Sequence, residues 1–213
     1  MRVSARRGPR VVRESRTGGG GHRALQPLLR ATELVDAGAG RHLEQVGRYS
    51  GVAARALGLP EQRSRAIASA CRLHDIGKLG VPDEILLKPG ALSGPERRLM
   101  ERHAAIGYRI LVDSGTRLLD LAASIALTHH EWYDGCGYPQ GLVGEEIPLI
   151  GRIAAVADAF DALTSDRVYR PGATPEEAAR VLRDASGSQF DPEVVASFLD
   201  SIELDDVSRP GEL

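Results

Sequence analysis

The sequence predicts an all-α domain, a helical bundle with polar groups at its centre. Three observations carry that expectation. From about residue 24 to 200 apolar side chains recur at i, i+3/i+4, and no stretch alternates in the way of a strand. Helix starts are marked by Ser93-Gly94-Pro95-Glu96 and Thr174-Pro175-Glu176-Glu177, which read as capping boxes with an early proline, and by Asp191-Pro192 as a further N-cap. Gly58, Gly77 and Gly115 stand where helices should stop.

The elements follow in order. Residues 1–23 combine arginines with a GGGG run and read as a disordered, solvated tail, and residues 205–213 as a second one. The domain proper is expected over 24–204. Within 41–57 the inward stripe runs His42, Val46, Tyr49, Ala53, Leu57; within 64–76 it runs Ile67, Ala70/Cys71, His74. Within 95–111 it runs Leu99, His103, Ile106, Ile110, and within 117–130 Leu118, Leu121/Ala122, Ile125, His129. Within 150–163 it runs Ile150, Ile153/Ala154, Ala157/Asp158, Asp161. Each polar residue therefore points with its apolar neighbours toward the interior. No internal repeat is visible.

One histidine on an apolar face is usually a satisfied core residue. Five helices each sending a His or Asp inward is a different matter, because buried imidazoles and carboxylates are expensive unless they share a cation. Five of the six histidines fall in this set, and only His22, in the glycine-rich stretch, is left out. A metal centre accounts for all of them together. Nitrogen and carboxylate donors without thiolate suit Fe, Mn, Zn, Co or Ni and argue against a Cys-rich structural zinc site. The inventory of His42, His74, Asp75, His103, His129, His130 and Asp158 exceeds one coordination sphere, so two ions are expected, an arrangement suited to clamping a phosphoryl group.

Bulk properties narrow the field. The 213-residue chain has a net charge of −2, which gives no bias toward nucleic-acid polymers or anionic membranes. No apolar run approaches the about 18 residues of a membrane span. Cys71 and Cys136 form no C-x-x-C, in keeping with a reducing cytoplasm. The stretch HHEWYDGCGYP, residues 129–139, puts paired imidazoles directly before a glycine-rich aromatic loop; taken alone it fits a zinc knuckle, a catalytic metal site or a nucleotide pocket.

Residues 71–90, CRLHDIGKLGVPDEILLKPG, resemble the HD phosphohydrolase signature, and HHEWYDGCGYPQGL resembles the HHExxDGxGYP element. With RIAAVADAFDALTSDRVYR and FDPEVV following in order, residues 30–200 are similar to an HD-GYP domain, the bacterial cyclic di-GMP phosphodiesterase family. The resemblance implies an HD-domain helical bundle with its metal centre in the core. It implies one ion held by His42, His74, Asp75 and Asp158, with Asp75 bridging to a second held by His103, His129 and His130. Lys78 would assist at the phosphate, and a hydroxide bridging the ions would attack phosphorus to give linear pGpG, with onward cleavage to GMP left open. Iron or manganese is the implied metal. Tyr138 is implied against a guanine base, Gly135 and Gly137 in a tight loop beside it, and Arg167 and Arg170 in contact with the dinucleotide. Glu131 and Asp134 are candidates for orienting imidazoles, and Asp161 is open between a structural cap and a member of the polar network.

Departures from the family pattern are few. Gly38 stands where some members have a glutamate that brings a third metal, so a binuclear centre is expected. The arginine usual shortly after the first histidine is missing from His42-Leu-Glu-Gln-Val46, and Trp132-Tyr133 replaces a basic or polar residue and Trp. Two further functions remain open: hydrolysis of another cyclic dinucleotide such as 3′,3′-cGAMP, and an adaptor module that binds cyclic di-GMP with little turnover. Protein partners or a homodimer are compatible with either.

Overall fold

The computed structural model describes residues 20–35, 39–166 and 171–202. Nine α-helices are seen among them: α1 (Gly20–Val35), α2 (Ala39–Ala56), α3 (Glu61–Cys71), α4 (Asp83–Leu86), α5 (Gly94–Leu111), α6 (Arg117–Thr128), α7 (Leu149–Thr164), α8 (Pro175–Asp184) and α9 (Pro192–Ser201). Short 3-10 turns run over Ile76–Gly80 and Gly144–Glu146. Among the described residues the only β pairing is an isolated bridge between Ser186 and Phe190. The all-α expectation holds. Helix α1 begins at Gly20, a turn ahead of the expected domain start; residues 1–19 and 203–213, and with them most of both expected tails, lie outside the described residues.

The start and stop signals act as read. The Ser93 amide and hydroxyl both donate to the Glu96 carboxylate, Thr174 and Glu177 exchange both capping-box bonds, and the Asp191 carboxylate accepts from the amides of Glu193 and Val194. Gly58 and Gly115 close their helices with φ of 76° each. Gly77 does something else. It sits inside the Ile76–Gly80 turn, where a Cβ would come 1.8 Å from the His103 carbonyl. Its missing side chain lets that turn lie directly on the backbone of α5.

Helix α2 packs against α3 and α7, α5 against α6 and the Ile76–Gly80 turn, and α6 against α3 and α7. Away from the polar centre the core is locked by Tyr49, Phe160 and Phe198 from α2, α7 and α9, whose rings meet edge to face at 5.2–5.9 Å.

Two expectations need correction. The segment expected as a helix through residue 76 ends at Cys71, and i→i+3 bonds to Ala70, Cys71 and Leu73 carry the chain onward. The adjacent His74 and Asp75 side chains leave this irregular stretch so as to converge, with His74 Nε2 3.4 Å from Asp75 Oδ2. The stripe of α5 is also rotated from the one expected. Leu99 and Ile110 are 37 % and 41 % exposed, while His103, Ala104, Gly107 and Leu111 are buried. The small residues decide this: a Cβ on Gly107 would stand 3.0 Å from Ala126 Cβ, so α5 presents its flattest face to α6.

Candidate metal centre

The histidines, all but His103 from helix ends and turns, are arranged around Asp75. His42 is on the first turn of α2, His74 and Asp75 on the turn after α3, His103 in mid α5, His129 and His130 just past α6, and Asp158 on α7. Two donor sets result: Asp75, His103, His129 and His130 in one, and His42, His74 and Asp158 in the other, the ligand atoms within each lying within 4.8 Å of one another. His74, His103 and His129 are almost fully buried; Asp75 keeps 12 % and Asp158 23 % of its side chain exposed.

Asp75 joins the two sets. Its Oδ1 is 3.3 Å from His103 Nε2 and 3.7 Å from His129 Nε2. Its Oδ2 is 3.4 Å from His74 Nε2 and 2.7 Å from Lys78 Nζ. His74 Nε2 is in turn 3.8 Å from Asp158 Oδ1, which lies 3.5 Å from His42 Nε2.

The tautomers follow from the backbone. His74 Nδ1–H donates to the Cys71 carbonyl at 2.9 Å and His103 Nδ1–H to that of Met100 at 2.8 Å. His129 Nδ1–H is shared between the carbonyls of Ile125 and Ala126, each at 3.1 Å. A ring that donates from Nδ1 offers a lone pair at Nε2 when neutral. His42 differs: its Nδ1 meets Asp161 Oδ2 at 2.6 Å. Asp161, undecided from sequence, thus belongs to the polar network, and its spacing of three from Asp158 on one helix was the available signal.

These donors fit a divalent cation. His74 Nε2 is buried and makes no hydrogen bond. The Nε2 atoms of His103 and His129 face each other at 3.4 Å, two lone pairs opposed unless something positive lies between or beside them. Two nitrogens on one tetrahedral ion at metal distances of about 2.1 Å stand about 3.4 Å apart.

Charge is tuned differently from ring to ring. Burial would raise the Asp75 carboxyl, but His74 first, then His129 and Lys78, outweigh it and hold the group well below the usual carboxylate range. Burial would lower His74, yet Asp75 and then Asp158 lift it to about 9. His103 is pushed down to about 4, by burial first and by His129 against the pull of Asp75. His130 is driven far down by burial and by His129 and His103. His103 and His130 are therefore weighted toward the neutral, ligating imidazole.

The loop after His130 is a built structure. Glu131 is buried, and its carboxylate accepts from Gln140 N at 2.7 Å and Leu142 N at 3.1 Å, closing the loop like a clasp. It orients no imidazole, and nothing in the sequence foretold that role. Asp134 accepts from Cys136 N at 2.8 Å in a local turn. Gly135 has φ of 85°, and a Cβ on Gly137 would lie 2.2 Å from Trp132 N, so both positions require glycine. Tyr133 N and Asp134 N bond to the carbonyls of Gln189 and Ser188, tying the loop to the turn before α9. The Tyr138 ring lies 4.8 Å from that of His130, tilted by 30°, at the mouth of the second set. Arg167 and Arg170, expected at the substrate, lie outside the described residues, as does Gly38.

Fold and donor set define an all-helical scaffold whose centre could hold divalent metal ions. A family model described as HD domain matches residues 25–194, and the chain belongs to that family. The GYP loop places it in the HD-GYP branch. It is 48 % identical over 175 residues to the cyclic di-GMP phosphodiesterase response regulator RpfG of Xanthomonas campestris pv. campestris, a match covering 82 % of this chain and 46 % of that protein. It is also 48 % identical over 186 residues to a cyclic di-GMP phosphodiesterase of Thermotoga maritima, covering 87 % of this chain and 50 % of that one. The chain thus spans about half the length of these relatives. A solved cyclic GMP-AMP-specific phosphodiesterase of Vibrio cholerae shares the fold, with a TM-score of 0.65 at 18 % identity over 88 % of this chain and 50 % of that one.

Proposed function

We propose that the chain is a metal-dependent phosphodiesterase that hydrolyses cyclic di-GMP to linear pGpG at a centre of two divalent ions. The observation that carries the reading is the shared carboxylate: Asp75 turns one oxygen toward each of two donor sets. His42, His74, Asp75 and Asp158 would hold one ion, and Asp75, His103, His129 and His130 the other. Bound there, divalent ions supply Lewis-acid charge and an activated water for attack on phosphorus. Iron or manganese suits a set of nitrogen and carboxylate donors, with zinc, cobalt and nickel also compatible.

The chain's own groups have defined tasks in this reading. Backbone carbonyls keep the Nε2 lone pairs of His74, His103 and His129 directed inward. Lys78, 23 % exposed and one turn beyond His74, brings a cation to the rim, where charge develops on phosphoryl oxygens. Tyr138 offers the open part of its ring to a guanine beside the second set, in a loop shaped by Gly135 and Gly137, and Arg167 and Arg170 bind the dinucleotide. No helix among the described residues is long and apolar enough to cross a membrane, and we place the chain in the cytoplasm.

The test is anaerobic loading with Fe(II) or Mn(II), followed by chromatography of products from cyclic di-GMP and 3′,3′-cGAMP side by side. Faster linearisation of cyclic di-GMP is expected. Preference for cGAMP would reassign the substrate, and binding of either without turnover would favour an adaptor. Asp75→Ala should lose both metal and turnover; retained turnover would refute the shared-carboxylate assignment.

A further inference from the structure

We propose that Asp161 is a positioning residue that fixes the His42 ring and thereby sets the affinity of the His42/His74/Asp158 site independently of the other. The proposal rests on the two-ion reading above.

The four imidazoles with a recorded Nδ1 partner are held in two ways. His74, His103 and His129 have side chains 1 %, 2 % and 0 % exposed, and each donates Nδ1–H to a carbonyl three or four residues back. Packing and their own helix ends leave those rings little freedom. His42 is 28 % exposed and sits on the first turn of α2. Its ring touches that of His74 edge to face at 5.3 Å, which alone does not decide which nitrogen points inward. What decides it is Asp161, 3 % exposed, with Oδ2 at 2.6 Å from Nδ1.

The arrangement is a two-point grip by one helix. Asp158 and Asp161 lie one turn apart on α7; Asp158 Oδ1 faces His42 Nε2 at 3.5 Å while Asp161 Oδ2 holds Nδ1. A buried carboxylate without a hydrogen-bond donor is costly, so Asp161 enforces donation from Nδ1 and leaves Nε2 for a metal. A carboxylate partner also makes Nε2 a stronger donor than the carbonyls behind the other rings do. Removing such an outer partner typically costs about 10- to 100-fold in metal affinity. Here that loss should fall on one site, because Asp161 holds His42, which belongs to that donor set alone, and the shared Asp75 is left in place.

The experiment is calorimetric titration of the metal-stripped full chain with Mn(II), on wild type, Asp161→Asn, Asp161→Ala, His42→Ala and the His42→Ala/Asp161→Ala double variant. Metal-free melting curves of each show whether the fold is kept. The asparagine variant retains volume and an acceptor oxygen and guards against loss of folding in the alanine one. Expected are two binding steps in wild type, one of them weakened about 10- to 100-fold in Asp161→Ala and less in Asp161→Asn, with the other step unchanged. In the His42→Ala background Asp161→Ala should add nothing, since the effect runs through His42. A strongly deshielded His42 Nδ1–H proton resonance should be present in wild type and absent in Asp161→Ala. Wild-type affinities for both ions in Asp161→Ala, or an equal further loss in the His42→Ala background, would overturn the proposal. Failure of wild type to take up two ions would instead overturn the two-ion reading beneath it.

Discussion

Removing the Glu131 carboxylate should open one half of the GYP loop and leave the metal centre intact. Glu131 is 2 % exposed and accepts from Gln140 N at 2.7 Å and Leu142 N at 3.1 Å. A hydrogen bond to a charged group contributes about 1.5–3 kcal/mol. Gln140 is exposed and Leu142 half-buried, so their freed amides would rehydrate, and the low end of that range applies. Two bonds then give about 3 kcal/mol, equivalent to about a hundredfold in the opening equilibrium of the segment. The half before Tyr138 has its own anchors in Gln189 O, Ser188 O and His130 O. In Glu131→Ala, hydrogen exchange at Gln140 and Leu142 should accelerate about a hundredfold while Asp134 N, bonded to Ser188 O, stays protected. No metal-contacting group is touched, so metal content should hold, whereas KM for the dinucleotide should rise as Tyr138 loses support. Unchanged protection at Gln140 and Leu142, or equal loss at Asp134, would refute the clasp.

Other perturbations address the centre itself. Lys78→Met should keep bound metal and lower kcat about a hundredfold, checked by metal analysis beside single-turnover kinetics. Gly77→Ala places a Cβ 1.8 Å from the His103 carbonyl, and overpacking of that kind costs about 3 kcal/mol or more; a lowered Tm and loss of metal together are expected. The metal-free protein should be most stable near pH 6.5. The folded pKa of His74, raised to about 9, contributes stability that is present below the unfolded value and lost as pH rises through 9. That of His103, lowered to about 4, contributes stability present above the unfolded value and lost as pH falls toward 4. Melting curves across pH 4–9 would show a maximum, and a steady rise to pH 9 would contradict it. Adding Mn(II) at about 100 times its Kd should stabilise by about 2.7 kcal/mol per site, read as a higher Tm that a chelator reverses.

The helical class and the donor inventory were legible because period and chemistry conflict at the same positions. His42, His74, His129 and Asp158 interrupt apolar stripes at helical spacing, and a shared cation would reconcile them. What sequence could not show is how tertiary contact re-aims an element. Alternation of bulk on α5 pointed to Leu99 and Ile110 as inward, but Ala104 and Gly107 permit the closer approach and rotate the helix. A histidine–aspartate pair read as one helical turn is in fact two successive tight turns. Glu131 was illegible for another reason: its partners are backbone amides 9 and 11 residues away, which carry no side-chain signature.

The same geometry explains why a helical bundle can build this centre from few polar residues. The last carbonyls of a helix lack intrahelical partners and carry partial negative charge. Helices α3 and α6 both end at the centre, with His74 three residues past the one and His129 directly after the other. Each imidazole donates Nδ1–H back to the closing turn of its own helix, Cys71 for one and Ile125 and Ala126 for the other. One proton thus gives a closing-turn carbonyl, which in Cys71 and Ile125 already accepts a backbone amide, a second donor and fixes the tautomer, and the opposite nitrogen is left as a donor in a field that favours a cation. Mid-helix His103 reaches the Met100 carbonyl in the same manner. His42 lies at the opening of α2, where a helix presents amides and no spare carbonyl. A carboxylate from another helix has to take the carbonyl's place there, and that is the position Asp161 occupies.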